Sequence, residues 1–121
     1  MGMLPKILYV DDEEINLTLF QLTFRRSFEV LIANSGREGL VLIENNDDIR
    51  FVISDMKMPG MDGLEFIQKV KKVNSHLPCI ILSGYDRNDR IDKALEVKLI
   101  KDYVMKPFNK EELHQILDAY I

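Results

Sequence analysis

The sequence predicts an α/β protein: a doubly wound, five-stranded parallel sheet of order 2-1-3-4-5 with helices on both faces. Three observations carry that expectation. Five short runs rich in β-forming residues are apolar throughout, segments with helical spacing lie between them, and polar or acidic residues follow the runs at their carboxyl ends. Continuous apolarity, as opposed to alternation, marks strands covered on both sides, and strict strand–helix alternation calls for parallel strands joined by right-handed crossovers.

The runs are ILYV (7–10), VLIA (30–33), FVIS (51–54), CIIL (79–82) and YVM (103–105), each too short for a helix. The first helical segment carries Ile15, Leu19 and Leu22 at i, i+4, i+7 and is expected to bury that stripe. The second opens on SGRE, read as a capping box with Ser35 as cap and Glu38 at the third helical position. Leu64, Ile67 and Val70 give the third its apolar face; the neighbouring KVKK (69–72) supplies the wet one. The fourth places Ile91, Ala94, Leu95 and Lys98 together. The fifth starts at Asn109, an N-cap with Glu112 three residues on, and continues with Leu113, Ile116, Leu117 and Tyr120.

A chain of 121 residues has room for one domain, over 1–121, with a core of its own. Its net charge of -4 and scattered basic residues argue against direct contact with nucleic acid. The single cysteine, Cys79, lies in an apolar run and is expected to be a core residue in a reducing, cytoplasmic setting. No apolar run is long enough to span a membrane, and the opening MGMLPKILYVDD is too short in apolar residues for a signal peptide. Gly2 does not read as an acylation signal, because Lys6 stands where serine or threonine is wanted.

In a parallel sheet the residues after each strand gather at one edge, where ligands bind at the topological switch point. Asp11 and Asp12 follow the first run, Asp55 the third, Ser83 and Gly84 the fourth, and Lys106 and Pro107 the fifth. With strands one and three side by side, the three carboxylates become neighbours. Such a cluster raises its own pKa values unless a cation neutralises it. Oxygen ligands without histidine or cysteine point to Mg²⁺. Lys106 adds a mobile positive charge, expected to pair with Asp55 when no phosphoryl group is present, and Ser83 a hydroxyl. Cation, ammonium, hydroxyl and a carboxylate nucleophile are the parts phosphoryl transfer requires, and Asp55 is the central acid.

Four motifs, VDDE at 10–13, DMKMPGMDG at 55–63, LSG at 82–84 and YVMKPF at 103–108, occur in the order and spacing of the receiver domain of two-component response regulators, which the whole chain resembles. The resemblance implies a flavodoxin-like (βα)5 fold and a phosphorelay switch. In it Asp55 accepts a phosphoryl group from a phosphohistidine on a sensor histidine kinase or histidine phosphotransfer protein. It further implies that Asp12, Asp55 and the backbone carbonyl of Lys57 hold Mg²⁺, with Asp11 acting through water. Ser83 and Lys106 would bind phosphoryl oxygens, and Lys106–Pro107 would be a cis peptide. Tyr103 matches the aromatic that turns inward when Ser83 moves, altering the face of helix four, strand five and helix five toward an unknown output partner. Lys57 and Tyr85 flank the acceptor, two places beyond Asp55 and Ser83. Leu99 and Ile100 depart from the pattern, since many relatives carry Gly-Ala there.

The chain is thereby expected to be no enzyme in the ordinary sense. Two other readings compete. An aspartate-nucleophile phosphatase would want a second aspartate where Lys57 stands, and a receiver-like module working without phosphorylation would tolerate a broken acidic site. His76 and His114 have no clustered partners and read as surface residues.

Overall fold

The computed structural model describes residues 3–121; Met1 and Gly2, the latter weighed above as an acylation site, lie outside the described residues. The elements follow one another as β1 (Lys6–Val10), α1 (Glu14–Phe24), β2 (Glu29–Ala33), α2 (Gly36–Asn45), β3 (Ile49–Ser54), α3 (Gly63–Val73), β4 (Cys79–Ser83), α4 (Asp89–Glu96), β5 (Asp102–Met105) and α5 (Lys110–Tyr120). All pairings are parallel and the order is β2-β1-β3-β4-β5, as the sequence predicts.

Successive strand residues point to opposite faces, and the core divides accordingly. Ile7, Tyr9, Phe51, Ile53, Ile80 and Leu82 pack with α1 and α5, while Leu8, Val10, Val52, Cys79 and Ile81 pack with α2, α3 and α4. The three central strands are buried almost throughout, which accounts for their unbroken apolarity. The edge strands are not: β2 and β5 are only partly covered, so a continuously apolar run there overstates burial on both faces. Cys79 is a free, buried thiol pushed up to about 12 by burial.

On α1 the expected stripe is the wrong one. Ile15, Leu19 and Leu22 are 67%, 56% and 53% exposed, and the helix instead buries Leu17, Phe20 and Phe24. Apolar residues occur on both sides of this helix. The side with two phenylalanines removes more area from water, about 2–3 kcal/mol per ring, and wins the sheet.

The capping box also moves. Ser35 caps α2 by accepting from the Glu38 N–H at 3.1 Å, but the Glu38 carboxylate accepts from Asn34 N–H, not from that of Ser35. The reciprocal pair is found on α3, between Asp62 and Glu65. Asn109 caps α5 as expected. On that helix Leu113 and Leu117 are buried, Ile116 is half-buried and Tyr120 remains exposed.

Lys98 does not belong to the apolar face of α4, which ends at Glu96. It takes φ 61° just past the helix. Its N–H donates to the Leu95 carbonyl at 3.1 Å and that of Leu99 to the Ala94 carbonyl at 2.9 Å, the paired bonds of a Schellman stop. Lysine thus fills the left-handed position that glycine usually takes, and Ile100 sinks into the core.

Gly63 opens α3 close against the end of β3. A Cβ there would lie 2.2 Å from the Asp55 carbonyl oxygen and 2.9 Å from Ile81 Cδ1. Backbone cannot retreat as a side-chain tip can, so Gly63→Ala is expected to destabilise the fold by about 2 kcal/mol or more, read as a lowered midpoint in urea unfolding.

Candidate functional site

The ladders themselves register the acids. Beyond β1 the Asp11 N–H donates to the Ala33 carbonyl at 3.1 Å, and beyond β3 the Asp55 N–H donates to the Val10 carbonyl at 2.8 Å. Lys106 continues β5 in the same way, its N–H donating to the Ser83 carbonyl at 2.8 Å. Each residue therefore sits one step past a strand, at the shared carboxyl edge. Carboxylate oxygens of Asp11, Asp12 and Asp55 all lie within 4.8 Å of one another.

Asp11 has no exposed surface, and four donors hold its carboxylate. Oδ2 accepts from the Tyr9 hydroxyl at 2.6 Å, Lys106 Nζ at 2.9 Å and Asn16 Nδ2 at 3.1 Å, while Oδ1 accepts from the Glu13 N–H at 3.0 Å. Burial alone would push this acid up, but the donors outweigh it, and Asp11 is held below the usual carboxylate range. Tyr9, buried and hydrogen-bonded to that carboxylate, is pushed upward.

Asp55 is buried and has fewer donors. Oδ1 accepts from the Met56 N–H at 2.8 Å, and Oδ2 lies 3.6 Å from Lys106 Nζ. Desolvation, with the charges of Asp11 and Asp12 adding to it, raises Asp55 above its ordinary value despite the lysine. The expected pairing of Lys106 with Asp55 is present at 3.6 Å, and the same ammonium also pairs with Asp11, nearer at 2.9 Å. Asp11 has the lower proton affinity and the tighter contact. Asp12 is exposed.

Ser83 ends β4 with no exposed surface, its Oγ accepting from the Tyr85 N–H at 3.2 Å. Tyr103, on the adjacent strand, is half-buried against the α2–α4 side, and its hydroxyl donates to the Tyr85 carbonyl. Lys57 is exposed and lays its ammonium 3.9 Å from the centroid of the Tyr85 ring. A further bridge joins the loop after β3 to the first turn of α4, Arg90 donating to the Asp62 carboxylate through both terminal nitrogens. The Lys106–Pro107 peptide is cis. His76 is exposed, and His114 pairs with Asp118 at 3.0 Å on α5.

The structure thus gathers Asp11, Asp12, Asp55 and Lys106, sets Ser83 at the end of β4, and leaves Tyr103 two residues short of the end of β5. Sequence reasoning missed Tyr9 and Asn16 as partners of Asp11. The signal for Tyr9 was available: it stands two residues before Asp11, on the same side of the strand. The donor set is all oxygen, hard, and rich in carboxylate, so a metal ion of the Mg²⁺ or Ca²⁺ type fits it.

A raised carboxyl binds more protons in the folded state than in the unfolded one between its ordinary and its folded pKa. Stability therefore falls as pH rises through that window, and the penalty persists at neutral pH. In metal-free buffer, Asp55→Asn is expected to stabilise the fold at pH 7 by on the order of 1 kcal/mol. That gain should vanish once the pH drops below the ordinary aspartate range, as read from urea midpoints across pH.

Comparison with known proteins agrees with this geometry. The family model for the response regulator receiver domain matches residues 7–118. Over 115 residues the chain is 40% identical to an uncharacterised transcriptional regulatory protein of Bacillus subtilis, YrkP, covering 93% of this chain and 47% of that one. The chain therefore spans about half the length of that curated relative. Among solved structures, a response regulator receiver domain protein from Clostridium thermocellum superposes with a TM-score of 0.85 at 34% identity, over 98% of this chain and 94% of that one. The response regulator TrrA from Thermotoga maritima, solved in complex with Mg²⁺-BeF, superposes with a TM-score of 0.84 at 28% identity, over 98% of this chain and 100% of that one. With the fold, the acid cluster and a match over nearly its whole length in agreement, the chain belongs to the response regulator receiver domain family.

Proposed function

We propose that this domain is a phosphoryl-accepting switch in a two-component phosphorelay, with Asp55 as acceptor. The observation that carries the reading is the convergence of Asp11, Asp12 and Asp55 within 4.8 Å, with Lys106 closing the site from β5. Receiver domains are regulatory signalling domains, not classical enzymes. The chemistry asked of the chain is one transfer onto itself.

In that transfer a carboxylate oxygen of Asp55 attacks the phosphorus of a phosphohistidine. A P–O bond forms, the P–N bond breaks, and the imidazole nitrogen leaves with the electron pair and takes up a proton. Asp12, Asp55 and the Lys57 carbonyl are the residues that would hold Mg²⁺, with Asp11 reaching it through water. The ion would supply charge neutralisation at the phosphoryl oxygens. Lys106 is placed to leave Asp11 for a phosphoryl oxygen, and Ser83 to donate to another. The Mg²⁺-BeF complex of TrrA supports this assignment of the metal by likeness.

The donor is a sensor histidine kinase or a histidine phosphotransfer protein. Support comes from the exposed Ile15, Leu19 and Leu22 on α1, beside a groove lined by Asn16, Phe20, Pro107 and Phe108 next to Lys106. A helix carrying the phosphohistidine could bury that stripe while presenting its phosphate to the acids.

Output runs through Ser83 and Tyr103. A Ser83 hydroxyl drawn to the phosphoryl group gives up its bond to the Tyr85 N–H. The loop that also accepts from Tyr103 is then released, shifting populations across α4, β5 and α5. Nucleic acid is no direct partner of this domain in this reading, and the setting is cytoplasmic. Among the described residues no helix is long and apolar enough to cross a membrane.

Acetyl phosphate with Mg²⁺ is expected to add one phosphoryl group by intact mass, and the adduct should disappear in Asp55→Asn or with EDTA. Absence of an adduct on the wild-type chain would favour an interaction module that works without phosphorylation. Tyr103→Ala should be phosphorylated to the same extent yet lose the accompanying shifts of α4, β5 and α5 amide resonances.

A further inference from the structure

Tyr9 is a core residue by every measure except its hydroxyl. It is 1% exposed and stacks on Phe20 with ring centroids 4.1 Å apart and planes 15° from parallel. Phenylalanine would stack equally well there. The phenolic oxygen contributes only through its 2.6 Å bond to Asp11 Oδ2, and a buried hydroxyl is costly unless it is so bonded. From the other side, the half-buried Asn16 on α1 donates to the same oxygen at 3.1 Å.

A carboxylate offers about two acceptor directions per oxygen. Tyr9, Asn16 and Lys106 crowd Oδ2, and the Glu13 N–H takes one direction on Oδ1. One direction on Oδ1 is left. Lys106 has a flexible stem and a second partner in Asp55, but the side chains of Tyr9 and Asn16 have no other hydrogen-bond partner among the described residues.

We propose that Tyr9 and Asn16 are positioning residues that pin Asp11 by Oδ2, so that only Oδ1, through its water, would face a bound cation and the carboxylate could not turn both oxygens onto it. The consequence is ion selectivity. Mg²⁺ keeps several waters and needs few carboxylates in octahedral geometry, whereas Ca²⁺ takes 6–8 oxygens and readily uses bidentate carboxylates. A pinned Asp11 withholds the extra ligand that would favour Ca²⁺. The inference rests on the metal reading given above.

Backbone amide spectra of the metal-free protein, titrated with Mg²⁺ and separately with Ca²⁺, provide the test. The resonances to follow are those of Glu13, which reports Asp11 Oδ1, and Met56, which reports Asp55 Oδ1. In Tyr9→Phe the Glu13 resonance should move before any metal is added, and the ratio of Ca²⁺ to Mg²⁺ dissociation constants should fall by about fivefold or more, a part of the roughly 10–100-fold by which outer-shell partners change metal affinity. The double variant Tyr9→Phe/Asn16→Ala should lower the ratio further. A role in packing alone would move both affinities together and leave the ratio unchanged. A ratio within about twofold of wild type in the double variant overturns the inference while leaving the metal reading intact. A wild-type chain that titrates with neither ion overturns both. Should Tyr9→Phe fail to fold, Asn16→Ala alone must lower the ratio, or the inference fails.

Discussion

A carboxylate with no exposed surface, Asp11, is the constraint on which the arrangement of this site depends. Such a charge persists inside a protein only when donors replace the water it has lost. Here they come from β1, from the turn and helix that follow it, and from the far end of the sheet through Lys106. The first three are near neighbours of Asp11 in the chain; Lys106 alone depends on the order β2-β1-β3-β4-β5, which lets a side chain beyond β5 lean back across the edge. The neighbouring Asp55 lacks that cover and is shifted the opposite way. Two acids on adjacent strands thus differ in kind: donors hold one below the usual carboxylate range, and burial pushes the other above it.

The loops around them are held by short-range devices of modest individual strength. Asp62 caps α3 reciprocally with Glu65 and also receives Arg90, which joins the loop after β3 to the start of α4. Lys57 over the Tyr85 ring makes a second crossing, from the same loop after β3 to the loop after β4. Exposed ion pairs and cation–π contacts contribute about 1 kcal/mol or less each, so these crossings bias the loops without freezing them. Gly63 acts differently, through absence: the close approach of α3 to the Asp55 carbonyl leaves no room for a side chain.

Much of this was legible in the sequence, and the failures share one physical origin. Strand order, the meeting of Asp11, Asp12 and Asp55, and the N-caps at Ser35 and Asn109 follow from local pattern plus the geometry of parallel sheets. Choices between competing partners did not follow. On α1 two apolar stripes coexist, and only the packing against the sheet decides that Phe20 and Phe24 go in while Leu19 and Leu22 stay out. Glu38 took the N–H of Asn34 in place of that of its cap; Lys106 pairs with Asp55 as expected but also, and more closely, with Asp11. Lys98 looked helical by spacing, but the stop depends on a left-handed backbone that lysine seldom signals.

The two lateral strands carry a consequence for self-association. β2 and β5 have five and four residues, and each begins with a carboxylate, Glu29 and Asp102. Unpaired peptide groups along such margins invite another chain to extend the sheet. If two copies aligned the same margin in parallel and in register, these like charges would be brought together, and the contact would end after a few rungs. Short lateral strands that open on a carboxylate therefore work against extension of the sheet from one copy to the next.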